Sequence, residues 1–345
     1  MVDDSAVVRG LLVLALADTP EITVVGTAMH GEAALRQLRT RAVDVVILDV
    51  EMPVMDGLTA LPHILKEFPQ TRVVMASATT KAGAENTVQA LALGAAACIA
   101  KPSARSVAEG IEQLTAELVP LVKALGRCGS AGSAPRPAPP AACLTRFSRI
   151  LPEVVVIGSS TGGPNALSKL VSNLSADVTC PILIVQHMPP AFTPTLAKHL
   201  EKDSGRPAQE AKAGGLIERG RIYVAPGDFH VVIDRIGNRL VTTLNQGPPQ
   251  HYVRPSVNPL FHSAAKWYGN RTLAVMLTGM GSDGIEGTRE IAQRGGLVIA
   301  QNEATSVVWG MPGAVVNAGL ADEILPLENI AAAIARHCTR EVALR

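Results

Sequence analysis

Four consecutive β-branched residues, Val154-Val155-Val156-Ile157, run straight into Gly158-Ser159-Ser160-Thr161-Gly162-Gly163. An unbroken apolar run of this length, bounded by turn residues, reads as a short strand buried on both faces. The small residues behind it read as a tight turn into a helix. A serine on such a turn stands clear of the sheet at its carboxyl edge. Gly158-x-Ser160-x-Gly162 fits the nucleophile-elbow pattern, in which flanking glycines leave room for a strained turn. One reading makes Ser160 a nucleophile. The other makes the loop a phosphate cradle or merely a tight strand-to-helix connection, which small residues also serve.

A chain of 345 residues suits about two domains of roughly 150 residues each. Hydrophobic residues make up 47% and aromatics only 3%, so the cores are built from Val, Leu, Ile and Ala. That suits layered α/β packing around parallel strands. The net charge of +1 comes without a dense Lys/Arg stripe, so no nucleic-acid surface is expected. Cys98, Cys128, Cys143, Cys180 and Cys338 show neither close pairing nor metal spacing in sequence. They read as reduced, incidental thiols of a cytoplasmic protein. Met1-Val2-Asp3-Asp4 lacks the basic region of a signal peptide. The apolar run near Ala90–Ala100 is interrupted by Gly94 and too short to span a bilayer, so no membrane insertion is expected.

Residues 1–125 read as one domain of alternating elements. Helices are expected at Ala6–Ala17, Glu32–Arg39, Ala60–Glu67, Glu85–Leu93 and Val107–Leu125. Strands are expected at Glu21–Thr27, Asp44–Leu48, Arg72–Ala76 and Cys98–Ala100. Such alternation implies a parallel sheet covered on both faces, with the site beyond the carboxyl ends of its strands. Asp3, Asp4, Asp49, Ser77 and Lys101 fall at those ends. Three converging carboxylates would repel unless a hard divalent cation such as Mg2+ sat among them. A lysine and a hydroxyl opposite suit a transferred phosphoryl group.

Residues 126–150 are Gly, Ser, Ala and Pro with few core-forming side chains, a solvated linker. Alternation resumes over 151–345, with strands near Val154–Ile157, Pro181–Gln186, Arg221–Val224, Arg271–Thr278 and Leu297–Gln301. Helices are expected at Ala191–Lys202, Leu260–Trp267 and Gly287–Arg294. Ser160, His187 and Asp283 each follow a strand end, and together they supply a nucleophile, its general base and the carboxylate that orients the base. His199, His230, His251 and His262 compete for the base. His199 reads as a helix surface residue, whereas His230 and His262 are candidates for the same cleft. The chain order Ser, His, Asp departs from that of elbow-bearing hydrolases, where the acid precedes the histidine, and so argues against an ordinary lipase-type fold.

Two resemblances join these readings. Asp3-Asp4-Ser5, Leu48-Asp49-Val50-Glu51-Met52-Pro53-Val54-Met55-Asp56-Gly57, Ser77 and Lys101-Pro102-Ser103 resemble the receiver domain of two-component response regulators. The resemblance implies a flavodoxin-like, five-stranded parallel sheet with Asp49 as phosphoacceptor. Asp3, Asp4, Asp49 and the Glu51 carbonyl would hold Mg2+, and Lys101 and Ser77 would sense the phosphoryl group. Only Met1-Val2 stand where receivers carry a full first strand, so this strand is expected to be truncated and the start misassigned or trimmed. Cys98 lies where an aromatic usually precedes the lysine, which speaks against an aromatic-switch readout.

Ile157–Gly163, Val185-Gln186-His187-Met188-Pro189, Tyr223–His230, Arg254-Pro255-Ser256-Val257, Leu277–Gly284 and Gly310-Met311-Pro312-Gly313 resemble the chemotaxis protein-glutamate methylesterases of the CheB family. That resemblance implies a doubly wound, mostly parallel catalytic domain. Ser160 would be its nucleophile, His187 the base, Asp283 the orienter and the Met280 amide an oxyanion donor, with no cofactor for the esterase. It implies demethylation and deamidation of methyl-accepting chemotaxis receptors, and a chemotaxis histidine kinase as phosphodonor. It also implies a receiver that covers the esterase cleft until phosphorylated. The competing readings are the same esterase in another sensory pathway, a receiver with a nucleotide-binding output, and, less favoured by the charge, a DNA-binding output. Gly158–Gly163 has neither the dinucleotide glycine spacing nor a phosphate-binding lysine, which disfavours the nucleotide.

Overall fold

The computed structural model describes residues 1–77, 81–101, 107–127 and 150–339. The chain divides into two compact units, Met1–Arg136 and Pro137–Arg345. Most of the expected linker, with Cys128 and Cys143, lies outside the described residues, as do Pro102 and Ser103.

In the first unit, α1 (Ala6–Ala17) begins at Ser5, whose Oγ accepts from the Val8 amide. That satisfies one of the orphan donors of the first turn. It is followed by α2 (Gly31–Leu38), β1 (Val45–Asp49), α3 (Gly57–Glu67), β2 (Arg72–Ser77), α4 (Lys81–Leu93), β3 (Ala97–Ala100) and α5 (Val107–Arg127). The three strands pair in parallel in the order β1-β2-β3. Registers Asp49↔Ala76 and Ser77↔Ala100 bring Asp49, Ser77 and Lys101 to one carboxyl edge.

On the other side of β1, Val2 alone bridges to Leu48 and to Ala28. Five segments therefore lie side by side. The expected strand Glu21–Thr27, however, forms no ladder. A cavity of about 350 Å³ lies between Ile22–Ala28 and Val43–Ile47, so the segment faces no ladder partner there. Strand propensity without a ladder partner does not make a strand.

The second unit runs β4 (Val154–Ser159), α6 (Gly163–Ser172), β5 (Ile182–Gln186), α7 (Thr193–Ser204), β6 (Ala208–Glu210), β7 (Gly215–Leu216), β8 (Ile222–Val224), β9 (His230–Ile236) and β10 (Arg239–Asn245). It continues with α8 (Val257–Tyr268), β11 (Thr272–Met276), α9 (Ile285–Gln293), β12 (Leu297–Gln301), α10 (Met311–Asn317), β13 (Glu323–Leu325) and α11 (Leu327–Cys338). Seven strands form one sheet in the order β13-β12-β11-β4-β5-β8-β6, every pair parallel. From β4 the chain builds outward through β5 and β8 on one side. It later returns to build through β11, β12 and β13 on the other. The carboxyl end of β4 is thus the switch point, where such sheets open a crevice.

Alternate residues of β4 face opposite layers. Val154 and Val156 share a core with Leu260, Phe261 and Ala264 of α8, and Val155 and Ile157, also fully buried, serve the other face. A second, antiparallel sheet, β7-β10-β9, was not among the expected elements. It is tied to α8 by the Ile233 amide, which donates to Ser263 Oγ at 2.8 Å. The thiols expected to be unrelated include one close pair: Cys180 and Cys338, 158 positions apart, bring their Sγ atoms to 3.5 Å. No helix among the described residues is long and apolar enough to cross a membrane.

Phe261 is fully buried between the main sheet and α8. Phe261→Ala is expected to lower the stability of the second unit by about 3–5 kcal/mol, from lost burial plus the cavity left behind. Denaturant unfolding checks this, with the midpoint falling at unchanged slope.

Candidate functional site

The end of β4 presents Ser160, half-buried, with its amide donating to Thr278 O at 3.0 Å. The β4–β5 register ends at Ser159↔Gln186. Ser160 and His187 therefore leave the sheet as neighbours, with the His187 amide donating to Ser159 O at 3.1 Å. Adjacent parallel strands run about 4.8 Å apart, a spacing that suits side chains meant to share a proton.

Gln186 binds the two carriers together. Its Nε2 donates to Ser160 O at 2.9 Å and to His187 O at 3.0 Å, while Oε1 accepts from Ser159 Oγ at 2.7 Å. The amide is buried and fully engaged by these bonds. Two glycines make room. Gly162 takes the left-handed conformation, φ 77°, and a Cβ on Gly163 would collide with Gln186 Oε1.

Asp283 follows β11 through Leu277–Ser282 and is buried. His187 Nε2 and Asp283 Oδ2 are 2.8 Å apart. The carboxylate also accepts from Ser256 Oγ at 2.7 Å and from the Val257 amide at 2.7 Å. Burial alone would raise its pKa, but the bonds from His187, Val257 and Ser256 hold Asp283 below the ordinary carboxylate range. The base thus faces a fixed negative charge. With Nε2 engaged, His187 Nδ1 is the ring nitrogen left over, and neither it nor Ser160 Oγ has a hydrogen bond among the described residues. The Met280 amide likewise donates to no group among the described residues. It sits between Gly279 and Gly281, the latter at φ 85°. This arrangement can take a proton from a hydroxyl, hold the resulting imidazolium and offer a free amide to an oxyanion.

The competing histidines have other partners. His230 is buried at the start of β9, where Nδ1 accepts from the Ser256 amide at 3.1 Å and Nε2 contacts Pro248 O at 3.1 Å. It supports Ser256, which in turn bonds Asp283, and its ring has no free nitrogen. His262 pairs with Glu290 at 2.6 Å and His251 with Glu286 at 3.3 Å. His199 lies half-buried on α7. Sequence reasoning missed Gln186 and Ser256. Ser256 did carry a signal, a serine directly before an apolar helix, and it caps α8 by accepting from the Asn258 amide.

In the first unit, carboxylate oxygens of Asp3, Asp4 and Asp49 lie within 4.8 Å of one another. Lys101 Nζ reaches Asp3 Oδ2 at 2.9 Å and Asp49 Oδ2 at 2.7 Å. The other oxygen of Asp3 accepts from the Ser5 amide, and that of Asp49 from the Glu51 amide. Burial raises the Asp49 carboxyl and Asp3 adds to the rise, while Lys101 opposes it. Lys101, despite burial, is raised by its bonds to Asp49 and Asp3. Ser77 is buried at the end of β2, and its Oγ donates to Gly83 O at 3.2 Å. Three carboxylates against one ammonium, with oxygen donors only, fit a hard divalent cation.

Comparison with known proteins matches both units. The model of the CheB methylesterase family matches residues 155–334, and that of the response regulator receiver domain matches residues 1–110. The chain is 50% identical over 344 residues to protein-glutamate methylesterase/protein-glutamine glutaminase 2 of Caulobacter vibrioides, covering 97% of each chain. It is 44% identical over 363 residues to the protein-glutamate methylesterase/protein-glutamine glutaminase of Azospirillum brasilense, covering 99% of this chain and 92% of that one. Among solved structures, the Thermotoga maritima CheB methylesterase catalytic domain is similar with a TM-score of 0.52 and 40% identity, over 54% of this chain and 98% of that one. With near full-length relatives, a matched receiver and a matched catalytic sheet, the chain belongs to the CheB methylesterase family, in the form that carries an N-terminal response regulator receiver domain.

Proposed function

We propose that this protein hydrolyses glutamate methyl esters on methyl-accepting chemotaxis receptors, and deamidates glutamines there, under the control of phosphorylation at Asp49. The observation that carries the reading is the His187–Asp283 pair beside Ser160 at the switch point of the large sheet.

His187 takes the Ser160 proton as Oγ attacks the ester carbonyl, and Asp283 stabilises the imidazolium that forms. The tetrahedral oxyanion is met by the free Met280 amide and by the amide of Thr161, the residue after the nucleophile. His187 then gives its proton to departing methanol. Water, activated by the same imidazole, hydrolyses the acyl-enzyme and restores Ser160. With a side-chain amide as substrate the leaving group is ammonia, and the product is again glutamate. No step in this sequence calls for a group beyond the chain and water.

In the receiver, Asp3, Asp4, Asp49 and the Glu51 carbonyl would hold Mg2+, which when bound offsets the charge of an incoming phosphoryl group. A chemotaxis histidine kinase supplies that group, and Asp49 Oδ is its acceptor. Lys101, now shared between Asp3 and Asp49, would swing part of its charge onto the phosphoryl oxygens, and Ser77 would exchange Gly83 O for one of them. Such contacts bias a two-state element, here the release of the esterase from inhibition by the receiver.

Ser160→Ala is expected to cut methanol release from methylated receptors by at least ~10³-fold, because residues of such a unit fail together. Equal release from both proteins would remove Ser160 from the mechanism. Ser256→Ala takes one charge-assisted bond from Asp283. It is expected to lower kcat roughly 10–100-fold with little change in KM, in line with about 1.5–3 kcal/mol for a buried bond to a charged group. Removing residues 1–125 is expected to raise basal methanol release; a folded remainder with unchanged or lower activity would count against inhibition by the receiver.

A further inference from the structure

Cys180 and Cys338 come from opposite ends of the second unit's sequence and meet at 3.5 Å between sulfurs. Cys180 is buried just before β5, and Cys338 is the last residue of α11, half-buried. Neither belongs to the esterase site. They lie where β5 begins, whereas His187 lies where it ends. The surroundings of Cys180 are electropositive by construction. Arg206 is anchored to Val178 O at 2.6 Å and to Ser175 O, and Arg219 to Thr179 Oγ1 at 2.6 Å. Two guanidinium groups are thus pinned beside the residues that lead into Cys180. The hydrogen bond shared with Cys338 lowers the pKa of Cys180, against burial, with Arg219 and Arg206 assisting. These are the conditions under which one thiol becomes the nucleophile and its neighbour the resolving partner.

We infer that Cys180 and Cys338 form an oxidisable dithiol, a modification site whose disulfide clamps the C-terminal helix α11 to the start of β5. The oxidant class is a peroxide, small enough to reach a buried sulfur beside a half-exposed one. The Cys180 thiolate attacks one oxygen of hydrogen peroxide, the O–O bond breaks, and hydroxide leaves, giving Cys180 sulfenic acid. The proton that Cys180 gave up neutralises that hydroxide to water; the Cys338 sulfur then attacks the Cys180 sulfur, the S–O bond breaks, and the hydroxyl leaves as water with the Cys338 proton. In sum, two thiols and one peroxide become one disulfide and two waters. The thiols lose two electrons and the peroxide gains them.

The sulfurs must close from 3.5 Å to the bonded distance of about 2.05 Å. The closure falls on the last turn of α11, where Arg336 and His337 pair with Glu323 of β13. A crosslink over so long a loop restricts the unfolded chain strongly.

The test treats the full-length protein with hydrogen peroxide, blocks remaining thiols under denaturing conditions and maps peptides by mass spectrometry. The expected result is a Cys180–Cys338 linked peptide, reversed by dithiothreitol, and a melting temperature of the second unit raised by roughly 5–10 °C. C338S is expected to abolish both the link and the shift while folding normally, since its side chain is half-exposed at a helix end. Unlinked thiols, or sulfinic and sulfonic acids at the two positions, would overturn the dithiol. A link that forms only after denaturation would do the same. A native link that leaves the melting temperature unchanged would overturn the clamp.

Discussion

The parallel pairing of β4 between β11 and β5 is the constraint on which the second unit depends. Its residues are buried on both faces, so the strand can be stable only with ladders on both edges and helices on both sides. Those same ladders set the chemistry. The register with β5 puts Ser160 next to His187, and the register with β11, Met276↔Gly158, brings the Leu277–Asp283 segment over the same end. A shift of one residue in either register would turn a functional side chain toward the opposite face. The gathering of Ser160, His187 and Asp283 is a by-product of how an apolar strand must be buried.

The two units handle buried carboxylates in opposite ways. Asp283 accepts hydrogen bonds from a ring, a hydroxyl and an amide, and these outweigh the cost of desolvation and keep it ionised. Asp49 has Lys101 and one amide, but burial, with Asp3 beside it, prevails, and its carboxyl is raised. The first is a finished electrostatic arrangement, suited to orienting a base through many turnovers. The second keeps an excess of negative charge, three carboxylates against one ammonium, as a site that takes up a hard cation does.

Much of this was legible in the residues. α1 spans the same Ala6–Ala17 in sequence and in structure, and the ends of β1, β2 and β5 stand where apolar runs give way to Asp49, Ser77 and His187. Strand ends are readable because a parallel sheet demands continuous apolar stretches, and the first polar residue marks the rim. Other features depend on contacts between residues far apart. Glu21–Thr27 carries strand-like residues but lacks a neighbour to pair with. The hairpin of β9 and β10 carries a local signal, Gly237-Asn238 between alternating runs. Gln186 looked like an ordinary strand terminus, since nothing nearby shows that its carboxamide joins two separate backbones. The meeting of Cys180 and Cys338 across 158 positions leaves no trace in spacing.

The carboxamide of Gln186 has one more implication. The gap between the hydroxyl carrier and the imidazole carrier is spanned by a group that neither gains nor loses a proton in the physiological range and is weakly screened by salt. An ionic tie in that position would loosen whenever either partner titrated. With a neutral tie, the separation of the hydroxyl and imidazole side chains does not depend on the charge of either, and a proton passing between them would leave the frame undisturbed.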